Sequence, residues 1–203
     1  MKIYITNTKG FEEYDEKLNK ILSLCNTCQN KSYTNKGRNF QRLVGEGLTR
    51  FALYKDFNID FFIPFKYTQK GKPYIEKDVY FNMSHSGDYV ACAVGLQPVG
   101  IDIEILRQVN LNIAHRFFHP DETTFLNNSL NKTEDFFKLW TMKESYLKCI
   151  GKGLTLPLNS FIVNPTNLSV YDTQKNKLNF KFVINKYENI IITTCEKIFL
   201  NNY

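Results

Sequence analysis

The stretch Lys138-Leu139-Trp140-Thr141-Met142-Lys143-Glu144-Ser145-Tyr146-Leu147-Lys148 constrains this chain more than any other, because it threads charges between large apolar side chains and carries the one tryptophan. At about 3.6 residues per turn, Trp140, Glu144 and Lys148 fall at i, i+4 and i+8, so a ring, a carboxylate and an ammonium stack along one helical face. Thr133, Glu134 and Asp135 suit its start, and Gly151 and Gly153 its end. By itself this is an amphipathic helix with a surface Glu-Lys pair. Its carboxylate gains another meaning only if a second part of the chain needs it.

Gly100-Ile101-Asp102-Ile103-Glu104-Ile105 supplies that part. Strand alternation turns the three isoleucines one way and sets Asp102 and Glu104 side by side on the other face. Two neighbouring carboxylates repel each other unless a cation, a proton or basic groups compensate. If Glu144 joins them, three oxygen ligands from two elements suit Mg²⁺, with positions left for water and phosphate oxygens. The alternative is an ordinary solvated strand face.

The rest of the chain reads as α+β. A strand is expected over 3–6, a helix over 12–25 and a second helix over 37–55, with Phe40, Leu43, Val44, Leu48, Phe51 and Ala52 turned inward. Residues 61–67 look like an edge strand interrupted by Pro64, followed by a turn presenting Lys72. Strands over 79–83 and 89–94 are joined through Ser84-His85-Ser86-Gly87-Asp88, which puts His85 in the connection. A helix follows Pro120, and short strands are expected over 161–163, 168–171, 180–184 and 190–195. Each half then holds a long helix and a strand meander, with a seam near Gly100.

The chain has 203 residues, 43% hydrophobic, enough for a substantial core. No apolar run approaches the roughly 18 residues that cross a bilayer, and the first residues are too short and polar for a signal peptide, so a cytoplasmic protein away from membranes is expected. Five cysteines suit reduced thiols, and Cys25 and Cys28 are read as incidental. The net charge is +6, and no acidic residue lies between Glu16 and Glu46, where Lys31, Lys36, Arg38 and Arg42 fall. With Lys72 these are candidates for a phosphate grip or a nucleic-acid footprint. The acidic cluster favours a small polyphosphate over nucleic acid. His85 is either structural or, beside the Ser84 hydroxyl, a phosphate contact. His115 and His119 lack the further ligands of a zinc site.

In sequence these residues resemble the 4′-phosphopantetheinyl transferases of the surfactin-synthetase-activator type. Gly100-Ile101-Asp102-Ile103-Glu104 and, some forty residues on, Trp140-Thr141-Met142-Lys143-Glu144-Ser145-Tyr146-Leu147-Lys148 look like that family's paired signature. Gly71-Lys72-Pro73, Phe81-Asn82-Met83-Ser84-His85-Ser86-Gly87 and Gly151-Lys152-Gly153-Leu154 match further motifs in its order.

The resemblance implies two similar α+β halves, 1–100 and 101–203, with coenzyme A in the cleft between them. It implies a holo-[carrier protein] synthase: a serine hydroxyl of an apo acyl or peptidyl carrier protein attacks the pantetheine-side phosphorus of coenzyme A, releasing adenosine 3′,5′-bisphosphate. Asp102, Glu104 and Glu144 would hold Mg²⁺, Lys148 would neutralise developing charge, and His85, Ser84 and Lys72 would contact phosphates. Glu144 and a metal-bound water both stand as the base. The family's helix arginine would fall at Gln41, whereas the chain has Arg42, so Lys31, Lys36, Arg38 and Arg42 are carried together as candidates for the 3′-phosphate. Arg116 and Phe117 are either part of the docking face or an ordinary surface arginine and core phenylalanine, Trp140 is expected as the core anchor holding the helix against the acidic strand, and the chain as a monomer.

Overall fold

The computed structural model describes residues 1–9 and 38–199. The expected helix over 12–25, the Cys25 and Cys28 thiols, Lys31, Lys36 and the side chain of Arg38 lie outside them. The described elements are β1 (Lys2–Asn7), α1 (Arg38–Phe57), β2 (Lys66–Tyr67), β3 (Pro73–Tyr74), β4 (Tyr80–Ser86), β5 (Tyr89–Gly95) and β6 (Val99–Ile105), then α2 (Asn112–Phe117), α3 (Pro120–Asn127), α4 (Lys132–Ile150), β7 (Ile162–Asn164), β8 (Ser169–Tyr171), β9 (Phe180–Tyr187) and β10 (Ile190–Lys197).

Two three-stranded antiparallel sheets form the centre, in the orders β1-β5-β4 and β6-β10-β9. Alternation along β5 explains how they pack. Cys92 and Val94 turn towards α1 and join Ala52, Leu53, Phe65 and Phe81 in one buried cluster. Ala91 and Ala93 turn the other way, onto Ile101 and Ile103 of β6 and Ile190 and Ile192 of β10. The isoleucine face of β6 is thus buried against the first sheet, as the sequence alternation requires, and its acidic face is left for α4.

Helix α4 lies across β6 and β10 on the third apolar cluster, which includes Leu139, Met142, Leu147, Ile191 and Cys195. Asn131 caps its start by accepting the Glu134 N–H at 3.2 Å, and Gly151 ends it at φ +68°. The close fit depends on Gly100, where a Cβ would sit on the Ser145 carbonyl and the Cys149 N–H of α4. The buried thiols of Cys149 and Cys195 are both free.

Several expectations change. Residues 61–64 form no strand: the buried Arg50 guanidinium draws the Phe61 and Ile63 carbonyls towards α1, donating to each at 2.8 Å, and only Lys66–Tyr67 pairs with β3. His85 lies within β4, not in the connection, because Ser86 pairs with Tyr89 and the turn shortens to Gly87-Asp88. Phe51 is 46% exposed, where an inward position was expected. Trp140 is only half-buried, stacks on Phe136 at 6.0 Å between ring centroids and packs at a tilt on Phe118 at 6.3 Å. It packs among the aromatics that link α4 to the α2–α3 segment; α4 meets the acidic strand through the backbone of Ser145 and Cys149 against Gly100 and through Lys148.

Candidate active site

Strands β4 and β6 lie side by side, with residue numbers rising in the same direction, and no backbone ladder joins them. Side chains stitch the seam instead. Asn82 Oδ1 accepts the Ile101 N–H at 3.0 Å, Ser84 Oγ donates to Asp102 Oδ1 at 2.8 Å, and Ser86 Oγ donates to Glu104 Oε2 at 2.8 Å. Strand alternation therefore splits the segment that sequence treats as one loop. Ser84 and Ser86 face β6, whereas His85 shares the Phe81 and Met83 side, towards α1.

Asp102 is 5% exposed, and from α4 the Lys148 ammonium reaches its Oδ1 at 2.6 Å and the Ser84 hydroxyl at 2.8 Å. Burial pushes the Asp102 carboxyl above the usual carboxylate range, Lys148 opposes that, and the nearby charge of Glu104 adds to it. Glu104 Oε2 also accepts from Arg107 Nη1 at 2.9 Å. Glu144 makes no hydrogen bond or ion pair among the described residues. Its carboxyl is pushed up first by burial and then by the charge of Asp102, with Glu104 adding less. The strand carboxylates thus lie close enough to act on the helix carboxylate of Glu144.

Whether these groups suit a divalent cation is decided by their chemistry. Asp102 Oδ2 is buried without a hydrogen-bond partner among the described residues, burial raises the carboxyls of Asp102 and Glu144, and oxygen donors of this kind are the set a hard cation stabilises. The donors fit. Among the described residues, however, no three His, Cys, Asp or Glu side chains are gathered into a ready cage, and Lys148 already holds Asp102.

Next to this cluster is a cavity of about 430 Å³, within the range of small-molecule pockets. Ser84, His85, Lys72, Arg42 and Lys148 all line it, and Asp102, Glu104 and Glu144 do not. Lys148 stands between the two, one contact on each side. Arg42 is exposed at the cavity, while Gln41, at the position where the motif places an arginine, donates its amide to the Gly87 carbonyl. The Lys72 ammonium is turned into the C-terminal end of α4, donating to the carbonyls of Lys148, Cys149 and Val99, and burial pushes its pKa down.

Three features escaped the sequence. Lys70 lines the cavity from the same turn as Lys72. His119 is a helix cap, its ring accepting the Asp121 N–H at 3.2 Å. Lys143 is wholly buried against Glu122 at 2.8 Å, although charge at both positions reads as surface. The pair that the sequence did single out lies on α2, which presents Phe117, 44% exposed with the Arg116 guanidinium 5.2 Å from its ring centroid, while its neighbour Phe118 is buried. Exposure of the aromatic rules out a core position for Phe117.

Residues 98–195 match the model of the 4′-phosphopantetheinyl transferase superfamily. The 4′-phosphopantetheinyl transferase gsp of Aneurinibacillus migulanus is 40% identical over 150 residues, which is 71% of this chain and 63% of that protein. The 4′-phosphopantetheinyl transferase Sfp of Bacillus subtilis (strain 168) is 44% identical over 126 residues, 60% of this chain and 56% of that one. In both cases the chain spans less than two thirds of the relative. The 4′-phosphopantetheinyl transferase ffp of Bacillus subtilis is matched more fully, at 35% identity over 166 residues that make up 79% of this chain and 74% of ffp. With that share of a whole transferase matched, this chain belongs to the 4′-phosphopantetheinyl transferase superfamily.

Proposed function

We propose that the chain transfers the 4′-phosphopantetheine group from coenzyme A to a serine hydroxyl of an apo acyl or peptidyl carrier protein. The observation that carries this reading is the position of Lys148, whose ammonium is bonded to Asp102 and whose side chain lines the cavity. Phosphoryl transfer asks for positioning and charge neutralisation more than for covalent help. The serine Oγ forms a bond to the pantetheine-side phosphorus, the pyrophosphate P–O bond breaks, and adenosine 3′,5′-bisphosphate leaves.

Coenzyme A would lie in the cavity between the two sheets, its phosphates met by Arg42, Lys70, His85 and Lys148. Lys72 would act by holding the end of α4. Asp102, Glu104 and Glu144 would hold Mg²⁺, which supplies charge neutralisation at the pyrophosphate when bound. Glu144 would take the serine proton, as a carboxylate that makes no hydrogen bond or ion pair among the described residues. The two halves, 1–100 and 101–203, would each contribute one sheet and one long helix to the cleft in a monomer. Arg116 and Phe117 would meet the acidic face of the carrier.

The test is the intact mass of an apo carrier domain after incubation with the protein, coenzyme A and Mg²⁺. Gain of one phosphopantetheine on the carrier serine, abolished by EDTA and by Asp102→Ala or Glu144→Ala, is expected. Several well-folded apo carriers left unmodified would overturn the reading.

A further inference from the structure

Among the described residues, every hydrogen bond and ion pair of Asp102 and Glu104 falls on one oxygen of each carboxylate. At Asp102 it is Oδ1, shared by Ser84 Oγ at 2.8 Å and Lys148 Nζ at 2.6 Å, while Oδ2 has no partner. At Glu104 it is Oε2, shared by Ser86 Oγ at 2.8 Å and Arg107 Nη1 at 2.9 Å. One arrangement thus repeats two residues apart: a hydroxyl from β4 and a cation hold one oxygen and leave the other.

Ser86 is itself fixed. The Ile105 N–H donates to its Oγ at 3.2 Å, so the hydroxyl hydrogen is directed to Glu104. Arg107 is steadied too, its guanidinium 5.2 Å from the ring centroid of buried Phe137 and donating to the Ile105 carbonyl at 3.1 Å. Ser86 also pairs with Tyr89 at the end of the β4–β5 hairpin, so its backbone is anchored by a ladder. A carboxylate pinned in this way cannot swing both oxygens onto a cation. Outer contacts of this kind commonly govern how well a ligand binds metal.

We infer that Ser86 is a positioning residue for Glu104: it fixes the carboxylate through Oε2 and so commits Oε1 to the divalent cation shared with Asp102. This rests on the reading of Asp102, Glu104 and Glu144 as the cation site. Removing the hydroxyl would free Glu104 to rotate and weaken the site, whereas a threonine would keep the bond.

The experiment is Mn²⁺ binding to the full chain, followed by the electron paramagnetic resonance signal of free Mn²⁺. Ser86→Ala should bind about 10–100-fold more weakly than wild type and Ser86→Thr within a few-fold of it. In the transfer assay, Ser86→Ala should raise the Mg²⁺ concentration giving half-maximal rate more than it lowers the saturated rate. Matching near-ultraviolet circular dichroism shows that the variants are folded. Wild-type affinity in Ser86→Ala, beside lost binding in Asp102→Asn, would overturn this inference and leave the cation site standing. Equal weakening in Ser86→Ala and Ser86→Thr would show that the hydroxyl bond is not the cause. Absence of Mn²⁺ binding in the wild type would overturn the cation site and the role of Ser86 together.

Discussion

Replacing Lys143 with methionine removes one side of an ion pair enclosed by the protein: the side chains of Lys143 and Glu122 are 0% and 1% exposed, 2.8 Å apart. Lys143 also donates to the Leu158 carbonyl at 2.7 Å and the Phe161 carbonyl at 3.0 Å, so the substitution strips three acceptors of a donor. Losing one partner of a buried pair costs about 3–5 kcal/mol, since the other charge stays behind. Glu122 keeps the Val163 N–H at 2.7 Å and the His119 N–H at 2.9 Å, and it can take up a proton. The lower end therefore applies, about 3 kcal/mol, or roughly 6–12 °C in melting temperature for a chain of this size. Burial already pushes the Glu122 carboxyl up, with Lys143 as the chief opposing influence, so the variant should raise it further. A carboxyl raised in the folded state loses its stabilising proton as pH rises, so the penalty is full above that pKa and fades as pH falls through it. Thermal unfolding followed by Trp140 fluorescence reads this, because Trp140 packs on Phe118 and the Lys143 ammonium lies 5.6 Å from the Phe118 ring centroid. Adding Glu122→Gln should recover part of the loss. A single variant within about 1 kcal/mol of wild type, or a double variant no better than the single, would refute the reasoning.

Three further outcomes are expected. Burial and the neighbouring carboxylates hold Glu144 above its ordinary range, so raising Mg²⁺ should move the acid limb of kcat/KM against pH to lower pH, and Glu144→Gln should lose about 10²–10⁴-fold in rate. Asp102→Asn should abolish transfer yet raise stability by about 1 kcal/mol at neutral pH, since it removes a buried charge and leaves Lys148 able to reach water. That gain should vanish in melting curves as pH falls through the raised Asp102 pKa, where both side chains are neutral. Gly100→Ala should cost about 1–3 kcal/mol by denaturant unfolding, because the added methyl meets the backbone of α4.

Periodicity made much of this molecule readable in advance. The alternation from Ile101 to Ile105 and the helical spacing of Glu144 and Lys148 are local patterns, and the described structure brings these residues into mutual influence. What sequence misassigned depends on long-range contacts that carry no local signature. Arg50 reorganises 61–64 by reaching carbonyls 11 and 13 residues away. Lys143 and Glu122, charged and 21 positions apart in sequence, are buried only because each meets the other. Placing His85 in a loop failed for a different reason: a two-residue turn at Gly87-Asp88, where Gly87 adopts φ +54°, lets strand pairing run on to Ser86. Trp140 misled because a large ring says that something is covered without saying what.

A β-ladder holds its strands about 4.8 Å apart whatever the side chains are. The seam between β4 and β6 has no such ruler, since Asn82, Ser84 and Ser86 span it with their own lengths. The gap between the cavity wall and the acidic strand is therefore set by three side chains and can be retuned one substitution at a time, without unmaking either sheet.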